Sequence, residues 1–126
     1  MSRKAVISII DDDESVREST ADLIKAMGFI AKTHTTAEDF LKSNHVHSTS
    51  CVIADMRMPG ISGLELHTRL RRSGNAIRTI LVTAFPNEQD RASGLRAGVT
   101  CYLAKPFNEQ DLVACVRAAI EASEPK

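Results

Sequence analysis

Residues 5–13 read AVISIIDDD, a short apolar run that stops on three consecutive acids, with Glu14 adding a fourth. Six mostly apolar residues suit a strand better than a helix. Their continuity, in place of strict alternation, marks burial on both faces, as in a parallel sheet covered by helices. The exit from this strand poses the question of function. Carboxylates held side by side at ~5 Å repel by about 3 kcal/mol per pair at an effective dielectric near ~20. A cluster of this kind calls for a cation.

The same pattern repeats down the chain. A helix over 14–27 carries Val16, Thr20, Leu23, Ile24 and Met27 on one stripe, with Gly28 as its stop. FIAKTHT alternates as a second strand, and Thr36 caps a short helix holding Phe40 and Leu41, with Glu38 and Asp39 in its first turn. CVIAD, at 51–55, is a third strand that again ends on an acid. A helix over 63–74 turns Leu66 and Leu70 inward, TILVT forms the fourth strand, and a polar helix over 87–98 ends at Gly98. VTCYLA is the fifth strand. The last helix, 108–122, repeats Leu112, Val116 and Ala119, or Val113, Val116 and Ile120, at helical spacing. Five strands alternating with five helices predict an α/β fold: a single doubly wound, five-stranded parallel sheet built from right-handed crossovers.

Composition bounds what such a domain can do. The 126 residues suit one domain over 1–122, with 123–126 as a flexible tail or the start of a linker. Sixteen Lys and Arg against 16 Asp and Glu give net charge zero, which leaves no overall basic footprint for nucleic acid and no polybasic membrane patch. No apolar stretch approaches the ~20 residues of a membrane span, and no secretory leader opens the chain. A cytoplasmic location is expected. Cys51, Cys101 and Cys115 lie in apolar runs without CxxC spacing and read as small, reduced core residues.

Ligands of open parallel sheets bind beyond the carboxyl ends of the strands. Asp11, Asp12 and Asp13 stand at the first such end, Asp55 at the third, Thr83 at the fourth, and Lys105 with Pro106 at the fifth. If Asp11, Asp12 and Asp55 face one another with Lys105, three negative charges meet one positive charge. A divalent ion with hard oxygen preferences, Mg²⁺, fills the deficit. Such an ion beside a carboxylate, a hydroxyl and a lysine suits phosphoryl transfer through an aspartyl phosphate.

Four stretches together, SIIDDDESVRE, VIADMRMPGISGLEL, ILVTAFPNE and GVTCYLAKPFNEQDL, closely resemble the receiver domain of two-component response regulators, most like the FixJ type. The resemblance covers essentially the whole chain. It implies the flavodoxin-like strand order 2-1-3-4-5 and a phosphoacceptor role for Asp55. It implies that Asp12, Asp55 and the main-chain carbonyl of Arg57 hold Mg²⁺, with Asp11 acting through water. Thr83 and Lys105 would contact phosphoryl oxygens, Thr83 and Tyr102 would form the switch pair, and Pro106 would follow a cis peptide. Arg57 and Phe85, each two residues beyond a site residue, are expected to shield the pocket mouth and slow self-dephosphorylation.

The partner implied is a histidine kinase or phosphotransfer protein docking on the first helix, at Ser15, Glu18, Ser19 and Asp22. A phosphorylation-dependent homodimer through helix four, strand five and helix five is a further expectation. Transcriptional control would run through an output domain outside this chain, a single-domain regulator being the other reading, and the chain itself is expected to bind no DNA and no membrane. Catalysis beyond self-phosphorylation and self-dephosphorylation is not expected. Blander readings stand beside these. Asp13 and Glu14 suit a helix start, Met56 and Met58 packing, Arg69, Arg71 and Arg72 a solvated face, and Tyr102 core. His34, His45, His47 and His67 share no helix-face spacing, and the HVH stretch reads as surface loop. An aspartyl-phosphate phosphatase lacks its second acid, since position 57 is Arg. A degenerate interaction module would normally have lost an acid or the lysine, and this chain keeps them.

Overall fold

The alternation resolves, in a computed structural model that describes residues 4–123, into β1 (Val6–Ile10), α1 (Glu14–Ala26), β2 (Ile30–His34), α2 (Ala37–Lys42), a single 3-10 turn (Val46–Ser48), β3 (Thr49–Asp55), α3 (Gly63–Arg72), β4 (Arg78–Thr83), α4 (Glu88–Ala97), β5 (Cys101–Ala104) and α5 (Glu109–Ser123). The five strands form one parallel sheet in the order β2-β1-β3-β4-β5, as expected. Register places the site. Ile10 lies beside Ala54, Asp55 beside Val82, and Thr83 beside Ala104, so four strands release their chains along one edge. Among the described residues no helix is long and apolar enough to cross a membrane.

Successive side chains of a strand face opposite ways, and both sides are apolar here. Ile7, Ile9, Cys51, Ile53, Ile80 and Val82 pack with Ile24 of α1 and with Leu112, Val116 and Ala119 of α5. Ile10, Val52 and Ala54 pack on the other side with Phe40 of α2 and with Leu66 and Leu70 of α3. A smaller cluster of Met56, Leu81 and Val99, flanked by Leu64 and Tyr102, lies on the α3–α4 side. Met56 and Met58 are packing residues, as read from the sequence.

Polar chemistry sets the helix starts. Asp13, Thr36, Ser62 and Asn87 each turn a side-chain oxygen onto the backbone N–H three residues ahead, at Val16, Asp39, Glu65 and Asp90. Caps of this kind contribute about 1 kcal/mol each. Gly98, with φ 95°, closes α4 in the left-handed region that favours glycine. Gly63, first in α3, has a different reason. A Cβ there would lie 2.6 Å from the main-chain oxygen of Asp55 and 2.9 Å from a Leu81 methyl, so only glycine lets α3 start against the end of β3.

Two expectations are corrected. Cys101 and Cys115 are not separate reduced core residues: they are disulfide-bonded, with Cα atoms 6.1 Å apart, because both side chains join the core cluster between the sheet and α5. Closing a loop of ~15 residues contributes on the order of 3 kcal/mol by restricting the unfolded chain. Cys51 alone keeps the predicted state, buried and free, with burial pushing its thiol up to about 12. The HVH stretch is only partly surface: Val46 is buried, and half-buried His45 meets His34, Nδ1 to Nε2, at 3.3 Å. Of the expected tail over 123–126, Ser123 ends α5, and 124–126 lie outside the described residues.

His67 is buried within α3 and bridges two elements. Its Nδ1 lies 2.8 Å from the Thr79 hydroxyl of β4, and its Nε2 lies 2.8 Å from the Ala97 carbonyl that ends α4. The carbonyl can only accept, so Nε2 carries the proton and Nδ1 accepts from Thr79. Burial holds the imidazole below its ordinary value of 6.5, with Arg71 acting in the same sense and the Ala97 bond opposing. The unfolded chain protonates His67 near pH 6.5 while the folded chain resists, so this contribution is whole above pH 6.5 and shrinks as pH falls below it. Chemical denaturation of the wild type should show unfolding free energy declining from pH 8 toward pH 5.5, roughly the window set by an ordinary His. His67→Gln, which cannot titrate, should decline less steeply; an unchanged slope counts against His67 as a source.

Candidate functional site

The rim is assembled by register. Asp11 and Asp12 leave β1, Asp55 ends β3, Thr83 ends β4, and Lys105 follows β5. Asp11, Asp12 and Asp55 each offer a carboxylate oxygen within 4.8 Å of the others, two from buried residues and one, Asp12, from an exposed one. Lys105 Nζ reaches Asp11 Oδ2 at 2.8 Å and Asp55 Oδ2 at 2.7 Å, so it clamps β1 and β3 from across the sheet. Burial alone would lower the Lys105 ammonium, but the two carboxylates outweigh it and raise the group above its ordinary 10.5. It is therefore a fixed positive charge across the neutral range.

The remaining oxygens of the two buried acids are held by backbone. Asp11 Oδ1 accepts the Asp13 N–H at 2.9 Å, and Asp55 Oδ1 accepts the Arg57 N–H at 3.0 Å. Three acids against one lysine leave two negative charges uncompensated, with hard oxygen donors converging at one spot. That donor set fits a small divalent cation such as Mg²⁺, which takes one or two carboxylates and keeps several waters.

Thr83 is fully buried, and its Oγ1 accepts the Phe85 N–H at 3.0 Å. The Lys105 N–H donates to the Thr83 carbonyl at 2.7 Å, so β4 and β5 carry their two side chains to the rim together. The peptide bond preceding Pro106 is cis. Phe85 is 70 % exposed, an unusual placement for a large apolar ring. Tyr102 stands apart from the acids. Its ring is half-buried beside the Met56–Leu81–Val99 cluster, and its hydroxyl accepts the Asn87 N–H at 3.2 Å.

Several contributors left no trace in a one-dimensional reading. Arg57 Nη2 pairs at 2.9 Å with Asp90 of α4, which also accepts from Asn87 Nδ2 at 2.9 Å. A polar chain thus runs from the residue two past Asp55 to the head of α4 and on to Tyr102. Arg17 Nη1 donates to the Asp11 carbonyl at 2.8 Å, bracing the first acidic turn from α1. Glu38 of α2 accepts the Ile61 N–H at 3.3 Å, pinning the loop that follows Asp55. Pairs such as 17 with 11 across a cap, or 57 with 90 between the loop after β3 and α4, carry no periodic signature.

Comparison with known proteins agrees with this geometry. Residues 7–117 match the family model described as response regulator receiver domain. Among curated proteins, the transcriptional regulatory protein FixJ of Azorhizobium caulinodans is 36% identical over 117 residues, 93% of this chain and 56% of that protein. Nodulation protein W of Bradyrhizobium diazoefficiens is 33% identical over 95% of this chain and 53% of its own length. Response regulator protein TodT of Pseudomonas putida is 31% identical over 94% of this chain and 52% of its own length. The chain spans about half the length of these relatives. Among solved structures, FixJ-N superposes with TM-score 0.84 at 29% identity, covering 95% of this chain and 96% of that one. The response regulator StyR superposes with TM-score 0.88 at 32% identity, covering 96% of this chain and 61% of that one. With the model match spanning nearly the whole described sheet, this chain belongs to the response regulator receiver domain family.

Proposed function

We propose that the domain accepts a phosphoryl group on Asp55 from a phosphohistidine of a kinase or phosphotransfer partner. The observation that carries this reading is the convergence of Asp11, Asp12 and Asp55 with Lys105 at one strand edge. A carboxylate oxygen of Asp55 attacks phosphorus, the bond to the histidine nitrogen breaks, and an acyl phosphate forms. Asp12, Asp55 and the Arg57 main-chain carbonyl would hold Mg²⁺, with Asp11 acting through water. When bound, the ion neutralises charge on the transferring phosphoryl oxygens. Lys105, already beside Asp55, pairs with one such oxygen, and the Thr83 hydroxyl donates to another.

Transfer changes the charge balance, and the switch follows from that. A dianionic group on Asp55 competes for Lys105 and draws Thr83 toward the rim. The loop over 84–87 moves with it, and Tyr102 turns inward, giving up the Asn87 N–H. The face of α4, β5 and α5 then repacks, available to an output segment or to a second copy. Whole-protein transcriptional control, as the FixJ name describes for that protein, is our reading for the protein that carries residues 1–122 as its receiver. In such a protein the output would lie outside residues 1–126.

Incubation with a small acyl phosphate and Mg²⁺, followed by intact mass, should add one phosphoryl group. Chelating the metal or making Asp55→Asn should abolish the gain while far-ultraviolet circular dichroism stays unchanged. Stoichiometric labelling of Asp55→Asn would remove Asp55 from the role.

Phosphoryl lifetime is expected to depend on Arg57 and Phe85. Both flank the site, and their bulk restricts the attacking water. Decay of the labelled domain should quicken in Arg57→Ala and in Phe85→Ala, each by less than the roughly tenfold that ~1.4 kcal/mol of barrier represents. Equal decay rates in the wild type and both variants would exclude shielding by these side chains.

A further inference from the structure

The disulfide occupies a telling place. Cys101 opens β5, Cys115 lies on the buried side of α5, and the bond closes a segment with a sequence separation of 14. Inside that segment stand Tyr102, whose hydroxyl meets the head of α4, and Lys105, which pairs with Asp11 and Asp55. The segment is tied down elsewhere too: Cys101 is in register with Ile80, and the Lys105 N–H donates to Thr83. The closed bond ties the start of β5 covalently to α5. With it open, β5 is held by its ladder to β4 and by the packing of Cys101 and Leu103 against the core that α5 shares. Cys101 is the less buried partner of the pair, half-buried against the core edge, whereas Cys51 is sealed in the core.

We propose that Cys101 and Cys115 form a reversible thiol–disulfide switch that sets how freely residues 101–107 answer events at Asp55, the oxidised form being the restrained one. The clause on events at Asp55 rests on the phosphoacceptor reading; the switch itself does not. The oxidant is a low-molecular-weight disulfide of the glutathione class. The Cys101 thiolate attacks one of its sulfurs, its S–S bond breaks, and one glutathione leaves with the electron pair and takes up a proton. The Cys115 thiolate then attacks Cys101 sulfur and displaces the second glutathione. Two protein thiols are oxidised, one glutathione disulfide is reduced to two thiols, and two protons pass from the cysteines to them.

The test uses the full chain equilibrated in glutathione buffers of graded reduced-to-oxidised ratio, quenched by alkylation and read by intact mass. Hydrogen exchange over 101–107 is followed in parallel, before and after exposure to a small acyl phosphate with Mg²⁺. The pair should pass from bonded to alkylated within the series. Exchange over 101–107 should be at least about threefold faster in the reduced form, and the change on phosphorylation over 87–107 should be larger there. Cys101→Ser and Cys115→Ala should each exchange like the reduced form in every buffer; either suffices if the other folds poorly. A pair that stays in one state throughout, equal exchange in both forms, or redox dependence that survives in the variants overturns the proposal. Redox-dependent exchange without phosphoryl gain in either form leaves the switch standing and removes the phosphoacceptor reading alone.

Discussion

One ammonium group holds the site end of this molecule in order. Lys105 lies 2.8 Å from Asp11 and 2.7 Å from Asp55, two carboxylates from residues only 2% and 7% exposed. Charges so placed are costly to desolvate and are tolerated because they are paired and hydrogen-bonded; stripping a partner from a buried pair costs about 3–5 kcal/mol. The lysine comes from β5 at one edge of the sheet, and the acids from β1 and β3 further in. Its reach therefore fixes the spacing of three strand ends as well as the charge of the rim.

That spacing is possible because of how the chain is wound. In the order β2-β1-β3-β4-β5, the two acidic strands are neighbours and β4 intervenes before the lysine. The Thr83 carbonyl receives the Lys105 N–H, so β4 passes its register on to β5 at the very point where both side chains are needed. Gly63 completes the arrangement from behind, because any side chain there would strike the Asp55 carbonyl and displace the end of β3. Local backbone geometry and long-range charge pairing thus converge on the same few residues.

Much of this was readable in one dimension because it obeys short periods. Continuous apolar strands such as VISII, helix stripes such as Leu112–Val116–Ala119, and stops such as Gly98 are local signals, and the acids and lysine sit at the ends of runs. What stayed hidden depends on where separate elements meet. Cys101 and Cys115 are fourteen apart across a strand, a loop and a helix, a spacing without a motif. His34 and His45 meet only because α2 folds back beside β2. Arg57 finds Asp90 only once α3 and α4 lie on the same side of the sheet. Side-chain reach between packed elements leaves no periodic mark, and these pairs lie beyond what patterning can reveal.

α4 is built unlike its neighbours. Of its residues only Gly94 is buried, Leu95 is 41% exposed, and its head is fastened by polar groups: the Asn87 cap, the Tyr102 hydroxyl and the Arg57–Asp90 pair. α5, by contrast, sinks Leu112, Cys115, Val116, Ala119 and Ile120 into the interior. Rigidity is therefore unevenly distributed, and the sheet with α5 acts as a chassis while α4 rides on it as a thinly rooted lever. Reseating such a lever would sacrifice little apolar burial, which is where a rearrangement of charge at its head would meet the least resistance from the frame.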